Sequence, residues 1–448
     1  MSEPNEAKTS RSTKALDASN QVFPRLIEYY KRAYKAKSTG SSQIVYHTGN
    51  DPIEIDYAMG LIPMFPENFS AACGAVQLAR VLIDVSENMG APEDLCSYFK
   101  THYGFMKGTF PDGVNQALKR IRLPDPDLVV SNKNLCRLHP LWMKIAAEHY
   151  GVPYFSMDAP VMPPRYQNNE TAFEGLWGAH YRYKVGPEAL DYCVAQLEEY
   201  IAFLEAHTGR RMDWDRLREV VACAAELNEL FQRILELRQT VPCPVGGEDL
   251  NTLVFFPVCL AGTQEAVDVI RAALTEIEQR VDAGRGVLPE ERFRLIFDGI
   301  PPWFNMGLFN YFHKFGAVSV EEAYPRAWVG RLDPEKPLES LAVKYMLSMN
   351  ATATYSAVSE RIQDRVRSYH VDGAILWNLH TCRLVSCIGF PRVQTSFERD
   401  CGIPALLLDS DQVDPRRYNE ALVLGRIDAF MEMLEQRKYG GQVGRISE

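Results

Sequence analysis

Apolar positions along this chain recur at two spacings, and the spacing changes by region. Residues 21–38 place Phe23, Leu26, Ile27, Tyr30 and Ala33 on one stripe, which predicts an amphipathic helix. The run from Gln43 to Thr48 reads as a short strand. A short helix is expected over Asp51–Gly60, with Pro52 in its first turn, and a second strand from Leu61 to Pro66. This alternation continues to about residue 175 and predicts a mostly parallel, wound sheet. Between residues 187 and 240 the period is helical throughout. Leu190, Val194, Leu197, Tyr200, Ile201 and Leu204 predict one long helix, ended at Thr208-Gly-Arg. A second runs from Asp213 to Leu237, antiparallel to the first, and a third covers 262–283. Strand-like runs return at Phe293–Pro301, Gly316–Val320, Gly373–Trp377 and Ala405–Leu408. A last helix follows over 417–436, and the chain is polar and Gly-rich after Lys438.

Two stretches repeat one another. An apolar run starts at Leu128, and Cys136-Arg137-Leu138 begins eight residues later; a second run starts at Ala374, eight residues before Cys382-Arg383-Leu384. Each unit then reaches a Gly-Val-Pro or Gly-Ile-Pro turn and a further apolar run, ending at Asp158 and at Asp409. The pattern reads as strand, cysteine loop, helix, turn, strand, made twice. The expected fold is α/β, with two wound, mostly parallel domains and a helical insert. The boundaries are a flexible tail at 1–20, a first α/β domain at 21–180, a helical domain at 181–285 and a second α/β domain at 286–448.

The chain has 448 residues, which argues for more than one domain. A net charge of −10 argues against nucleic acid or an anionic membrane as the main partner. No apolar run reaches the roughly 18 residues of a membrane span, and the first 20 residues lack the apolar core of a signal peptide. Ten scattered cysteines do not form a secreted disulfide framework, so a reduced, cytoplasmic setting is expected.

Cys96, Cys136 and Cys382 are the strongest chemical candidates. Cys136 and Cys382 follow the carboxyl ends of equivalent strands, the edge where open α/β sheets bind ligands. A helix starting just after each would place its positive end near the sulfur and favour an anion. Three thiolates around an anionic iron–sulfur cluster fit such a site. Their spacing matches no compact ferredoxin or zinc motif, so three packing cysteines stand as the other reading. The cysteines at 73, 193, 223, 243, 259, 387 and 401 are expected to be packing. Glu67 and Thr48 follow the first two strands and are candidates for proton transfer or for contact with a substrate; Glu67 is equally a solvated loop acid. His380, two residues before Cys382, is a further proton donor or a structural histidine. Arg137 and Arg383 either hold negative charge or cap loops. No Gly-rich phosphate loop with Lys-Ser/Thr is present, so ATP hydrolysis is not expected of this chain.

The ordered set of motifs resembles the 2-hydroxyacyl-CoA dehydratase and benzoyl-CoA reductase family. The set comprises Asp51–Met64, Cys96-Ser-Tyr, Asn134-Leu-Cys136, Val152–Asp158, His380-Thr-Cys382, Gly402–Asp411 and Arg426–Glu432. The resemblance implies two α/β domains flanking one 4Fe–4S cluster. Cys96, Cys136 and Cys382 fall on its ligand positions, and the fourth iron is left open to water or substrate. It implies a paralogous cluster-bearing subunit, an ATP-hydrolysing iron–sulfur activator that supplies single electrons, and ferredoxin upstream. The expected activity is that of the larger cluster-bearing subunit of an anaerobic, ATP-driven benzoyl-CoA reductase. Its reaction takes the aromatic ring of benzoyl-CoA to a cyclic diene thioester. The alternatives are a subunit of a (R)-2-hydroxyacyl-CoA dehydratase working through a ketyl radical, or an electron-relay scaffold without its own substrate site.

Overall fold

The computed structural model describes residues 11–160, 173–177, 181–348, 355–382 and 389–443. Strands β1 (Ile44–Tyr46), β2 (Ile62–Met64), β3 (Leu128–Asn132) and β4 (Tyr154–Met157) form one parallel sheet in the order β2-β1-β3-β4. Strands β5 (Phe173–Trp177) and β6 (Tyr181–Val185) form an antiparallel hairpin that the sequence pattern did not reveal. Strands β7 (Phe293–Asp298), β8 (Ala317–Glu322), β9 (Gly373–Leu379) and β10 (Ala405–Ser410) form a second parallel sheet, ordered β10-β9-β7-β8.

The two orders are the same pattern. In each sheet the second strand lies outside the first, and the third and fourth lie on the other side. The sequence repeat therefore has a structural counterpart: β3 and β9 are both third strands, β4 and β10 both fourth. Every residue of β3 is buried, as expected for a parallel strand covered on both faces. Along β9, Ile375, Trp377 and Leu379 face the final helix, Glu420–Val443, through Ile427, Phe430 and Leu434. Ala374 and Leu376 face the opposite side, with Ile362, Phe390 and Phe397. This alternation is the period-two pleat of a strand.

The strand order fixes where a ligand can go. Chain direction across each sheet reverses between the first and third strands, which opens a crevice at their carboxyl ends. In the first sheet the loops there are His47–Asn50 and Lys133–Arg137; in the second they begin at Gly299 and His380. Gly299 adopts φ +128°, and a Cβ there would lie 2.6 Å from the carbonyl oxygen of Trp377, so this strand exit requires glycine.

Several elements differ from expectation. The first long helix, Val22–Thr39, buries Val22, Leu26, Tyr29, Tyr30, Ala33 and Ala36, and leaves Phe23 41% exposed. Its inward stripe is thus rotated from the one predicted. The long helices Pro187–Thr208 and Trp214–Leu237 take different partners: the first packs on β4 and on Ala342–Leu347, the second along Gln264–Asp282. Residues 13–20, expected to trail loose, are tied down. The amides of Ala15 and Leu16 donate to Asp249, those of Asp17 and Ala18 donate to Glu276, and Leu16 is buried. The last helix runs on to Val443, past the polar stretch expected to end it. Among the described residues no single helix is long and apolar enough to cross a membrane.

Candidate functional site

Both switch points open onto one cavity of about 460 Å³. Gly49, Asn50 and Cys136 reach it from the first sheet; Gly299, Ile300 and Cys382 reach it from the second. Cys96 completes the set. It is the residue before the helix Ser97–Lys107, on the side of the cleft that packs with the first sheet. The structure therefore brings Cys96, Cys136 and Cys382, from three distant parts of the chain, into the wall of one cavity.

Local backbone explains how two of them are presented. The amides of Phe99, near Cys96, and of Leu138 and His139, near Cys136, each pull the thiol pKa of that cysteine down. These are first-turn amides of the helices Ser97–Lys107 and Leu138–Tyr150, groups without a partner inside their own helix. As free thiols the cysteines are not activated. Burial, then the neighbouring Cys382, pushes the Cys96 thiol well up, and burial pushes Cys136 up to about 11. The helix ends therefore do not outweigh desolvation. Among the described residues no three His, Cys, Asp or Glu side chains close around a single metal ion. Three thiols in one cavity wall, two of them beside helix amino termini, form a donor set suited to an anionic cluster.

Glu67 lies in the cavity wall near the start of the helix Pro66–Ala75. Its carboxylate accepts a hydrogen bond from His139 Nε2 at 3.0 Å and another from the Gly49 amide. A Cβ on Gly49 would lie 2.7 Å from Glu67 Oε2, so a larger residue here would push the carboxylate away. Burial pushes the Glu67 pKa up, but the charge and hydrogen bond of His139 outweigh it, and the net value lies below the ordinary one. For His139, burial pulls the pKa down and Glu67 raises it by more. Glu67 is thus the ionised member of the pair, against the raised pKa a lone desolvated carboxyl would have. His139, which the sequence reading passed over, carries the proton. Its one signal was position: it lies three residues after Cys136, hence on the same face of the helix start.

The remaining candidates lie elsewhere. Thr48 is fully buried; its hydroxyl donates to Asp51 and accepts from the Asn132 amide, so it braces the β1 loop outside the cavity wall. The His380 side chain is 52% exposed, stands 3.8 Å from Asp409 and does not line the cavity. His102 is buried and accepts a hydrogen bond from Trp142 Nε1. Arg137 is exposed, and Arg383 and Cys387 lie outside the described residues. Cys73, Cys193, Cys243 and Cys259 are buried within hydrophobic clusters.

The rest of the wall has three characters, and one of them is charged: Asp298, Arg326, Arg361 and Arg365 line it beside apolar and aromatic stretches. Leu26, Ala71, Ala75, Phe255 and Val258 form an apolar arm. Tyr98, Trp303, Tyr324 and Trp328 supply aromatic edges beside the cysteines. Buried polar atoms of lining residues without a hydrogen-bond partner include Trp328 Nε1, Asn251 Oδ1, Gln412 Oε1 and His139 Nδ1. Buried polar groups are ordinarily satisfied, so such atoms mark a place where a ligand can complete them.

The family model for the 2-hydroxyglutaryl-CoA dehydratase D-component matches residues 50–434, and the chain belongs to this family. It is 27% identical over 416 residues to the (R)-2-hydroxyisocaproyl-CoA dehydratase alpha subunit of Clostridioides difficile, covering 92% of this chain and 95% of that one. It is 26% identical over 434 residues to the (R)-phenyllactyl-CoA dehydratase alpha subunit of Clostridium sporogenes, covering 94% and 99%. It is also 26% identical over 433 residues to a benzoyl-CoA reductase subunit of Thauera aromatica, covering 92% and 94%.

Proposed function

We propose that this chain is the cluster-bearing subunit of a 2-hydroxyacyl-CoA dehydratase. Its partners are a paralogous subunit and an ATP-hydrolysing iron–sulfur activator, with ferredoxin upstream. The observation that carries the reading is the convergence of Cys96, Cys136 and Cys382 on one cavity beside the Glu67–His139 pair. The three cysteines would hold a 4Fe–4S cluster. When bound, such a cluster supplies single electrons and one iron without a protein sulfur. The chain's own residues do the rest. His139 holds a proton at Nε2 in the cavity wall, and Glu67 keeps it charged and aimed. Trp328 offers an unpaired N–H suited to a thioester carbonyl oxygen. The apolar arm and aromatic wall suit an aliphatic or aromatic acyl group.

The dehydratase reading leads because the family model and two of the named relatives are dehydratase components. The benzoyl-CoA reductase reading drawn from the sequence remains the second. The Thauera aromatica relative, matched over nearly the whole chain, and the aromatic wall both favour it. One experiment separates them: anaerobic purification with paralogue and activator, then assay with (R)-2-hydroxyacyl-CoA thioesters and with benzoyl-CoA. Dehydration releases water with no net consumption of reductant. Ring reduction consumes electrons in step with product. Turnover of neither substrate class would reject the proposal.

A further inference from the structure

The carboxylate of Asp411 sits where two of the cysteine loops meet. Ser97, the residue after Cys96, donates its hydroxyl to Asp411 Oδ1 at 2.5 Å. Thr381, the residue before Cys382, donates its hydroxyl to Asp411 Oδ2 at 2.5 Å. The Ser97 amide in turn donates to Thr381 Oγ1 at 3.2 Å. Ser97 and Asp411 are 0% exposed and Thr381 is 3% exposed. These bonds join the start of the helix Ser97–Lys107 to the exits of β9 and β10, so they span the cleft between the two halves of the molecule. The next residue, Gln412, lines the cavity, with Nε2 3.9 Å from Cys96 Sγ.

Asp411 also accepts the amides of Val413 and Asp414, each at 3.0 Å, which is an ordinary turn arrangement after a strand. That local role explains one oxygen only. The second oxygen is satisfied by Thr381, and the Ser97 bond crosses 314 residues of sequence. A turn cap needs neither. Each hydroxyl belongs to a residue next to a cysteine, so holding Ser97 and Thr381 on one carboxylate limits how far the Cα atoms of Cys96 and Cys382 can move apart.

We infer that Asp411 is a positioning residue that clasps the Cys96 and Cys382 loops together, and thereby sets how firmly the site retains an iron–sulfur group. The inference rests on the reading of the three cysteines as cluster ligands. Groups that orient ligands from behind typically contribute about 10–100-fold to metal affinity. The clasp acts on spacing and needs no contact with the cluster.

The test uses the full chain, reconstituted anaerobically with iron and sulfide, and compares Thr381→Val with Thr381→Ser. Valine keeps the shape and removes the hydroxyl; serine keeps the hydroxyl. Thr381→Val should lose iron to a chelator at least about 10-fold faster than wild type. It should also give an altered electron paramagnetic resonance spectrum when reduced. Thr381→Ser should restore both. Thermal unfolding of the iron-free chains is the control for general damage. Ser97→Ala, which removes the other hydroxyl, is the second variant if Thr381→Val does not fold, and should shift retention the same way. Wild-type retention and spectrum in a folded Thr381→Val or Ser97→Ala chain would overturn the clasp alone. A wild-type chain that takes up no iron would overturn the cluster reading, and the clasp with it.

Discussion

Glu67 and His139 meet at 3.0 Å in the cavity wall, one from a helix after β2 and the other from a helix after β3. Because the pair shares one positive and one negative charge, the proton sits on the imidazole and not on the carboxyl. If that proton is delivered during turnover, His139→Gln should cut the rate by roughly 100-fold or more, the usual size of a lost acid–base group. Glu67→Gln should also lower it, by removing the charge that holds the imidazole protonated and aimed. Iron content should stay normal in both. Steady-state turnover beside an iron assay checks this, and undiminished turnover in His139→Gln would return the pair to a structural role.

Ligand roles predict a different signature. Anaerobic chain should carry about four irons, and Cys136→Ala should lose most of them. Cys193→Ala should not, because Cys193 is buried among Leu190, Leu197 and Leu204 in a helix away from the cavity. Full iron in the Cys136 variant would remove that residue from the ligand set.

The parts of this site that were legible in the sequence are those that repeat locally. The runs from Leu128 and Ala374 read as strands because parallel strands are buried on both faces, and the cysteine after each was found by its equal offset. What stayed hidden depends on contacts across the fold. Glu67 pairs with a histidine 72 residues away, and Asp411 holds a serine 314 residues away. No local pattern encodes either contact. His380 misled for a related reason: adjacency to Cys382 in sequence does not place a side chain in the cavity when the strand exit turns it toward Asp409. Phe23 misled because the helix buries the stripe rotated by one residue, through Val22 and Leu26.

The two halves are also linked away from the cavity. Arg238, just after the helix Trp214–Leu237, forms a bidentate pair with Glu322 at the end of β8, with bonds of 2.7 and 2.9 Å and both side chains 0% exposed. It also donates to the carbonyls of Val245 and Ser319. Replacing arginine alone strands a buried carboxylate, so Arg238→Met should destabilise the chain by about 3–5 kcal/mol. Adding Glu322→Gln should recover part of that loss. Denaturant unfolding of the single and double variants measures the coupling, and a single variant as stable as wild type would refute it.

A buried histidine supplies a pH prediction that is independent of any cofactor. His47, at the exit of β1, lies 3.1 Å from Asp51 and 3.2 Å from Asp56, with all three side chains 0% exposed. Burial pulls its pKa down, but Asp56 and Asp51 more than reverse this and raise it to about 9. The folded state therefore binds the His47 proton more tightly than the unfolded chain, whose histidines titrate near 6.5. Stability from this group is fully present below pH of about 6.5 and is lost as pH rises through about 9. The loss is on the order of 3 kcal/mol for one such group. The midpoint of thermal unfolding of the iron-free chain should fall across that window. His47→Gln should be less stable at pH 6, where it leaves two buried carboxylates without their cation, and its midpoint should fall less steeply toward pH 9. His139 has a pKa shifted in the same direction, so the slope in the variant shrinks without vanishing. Lys344, whose pKa burial lowers to about 8, adds stability above that pH and offsets part of the wild-type fall. An unchanged slope in His47→Gln would show that His47 is not held charged by Asp51 and Asp56.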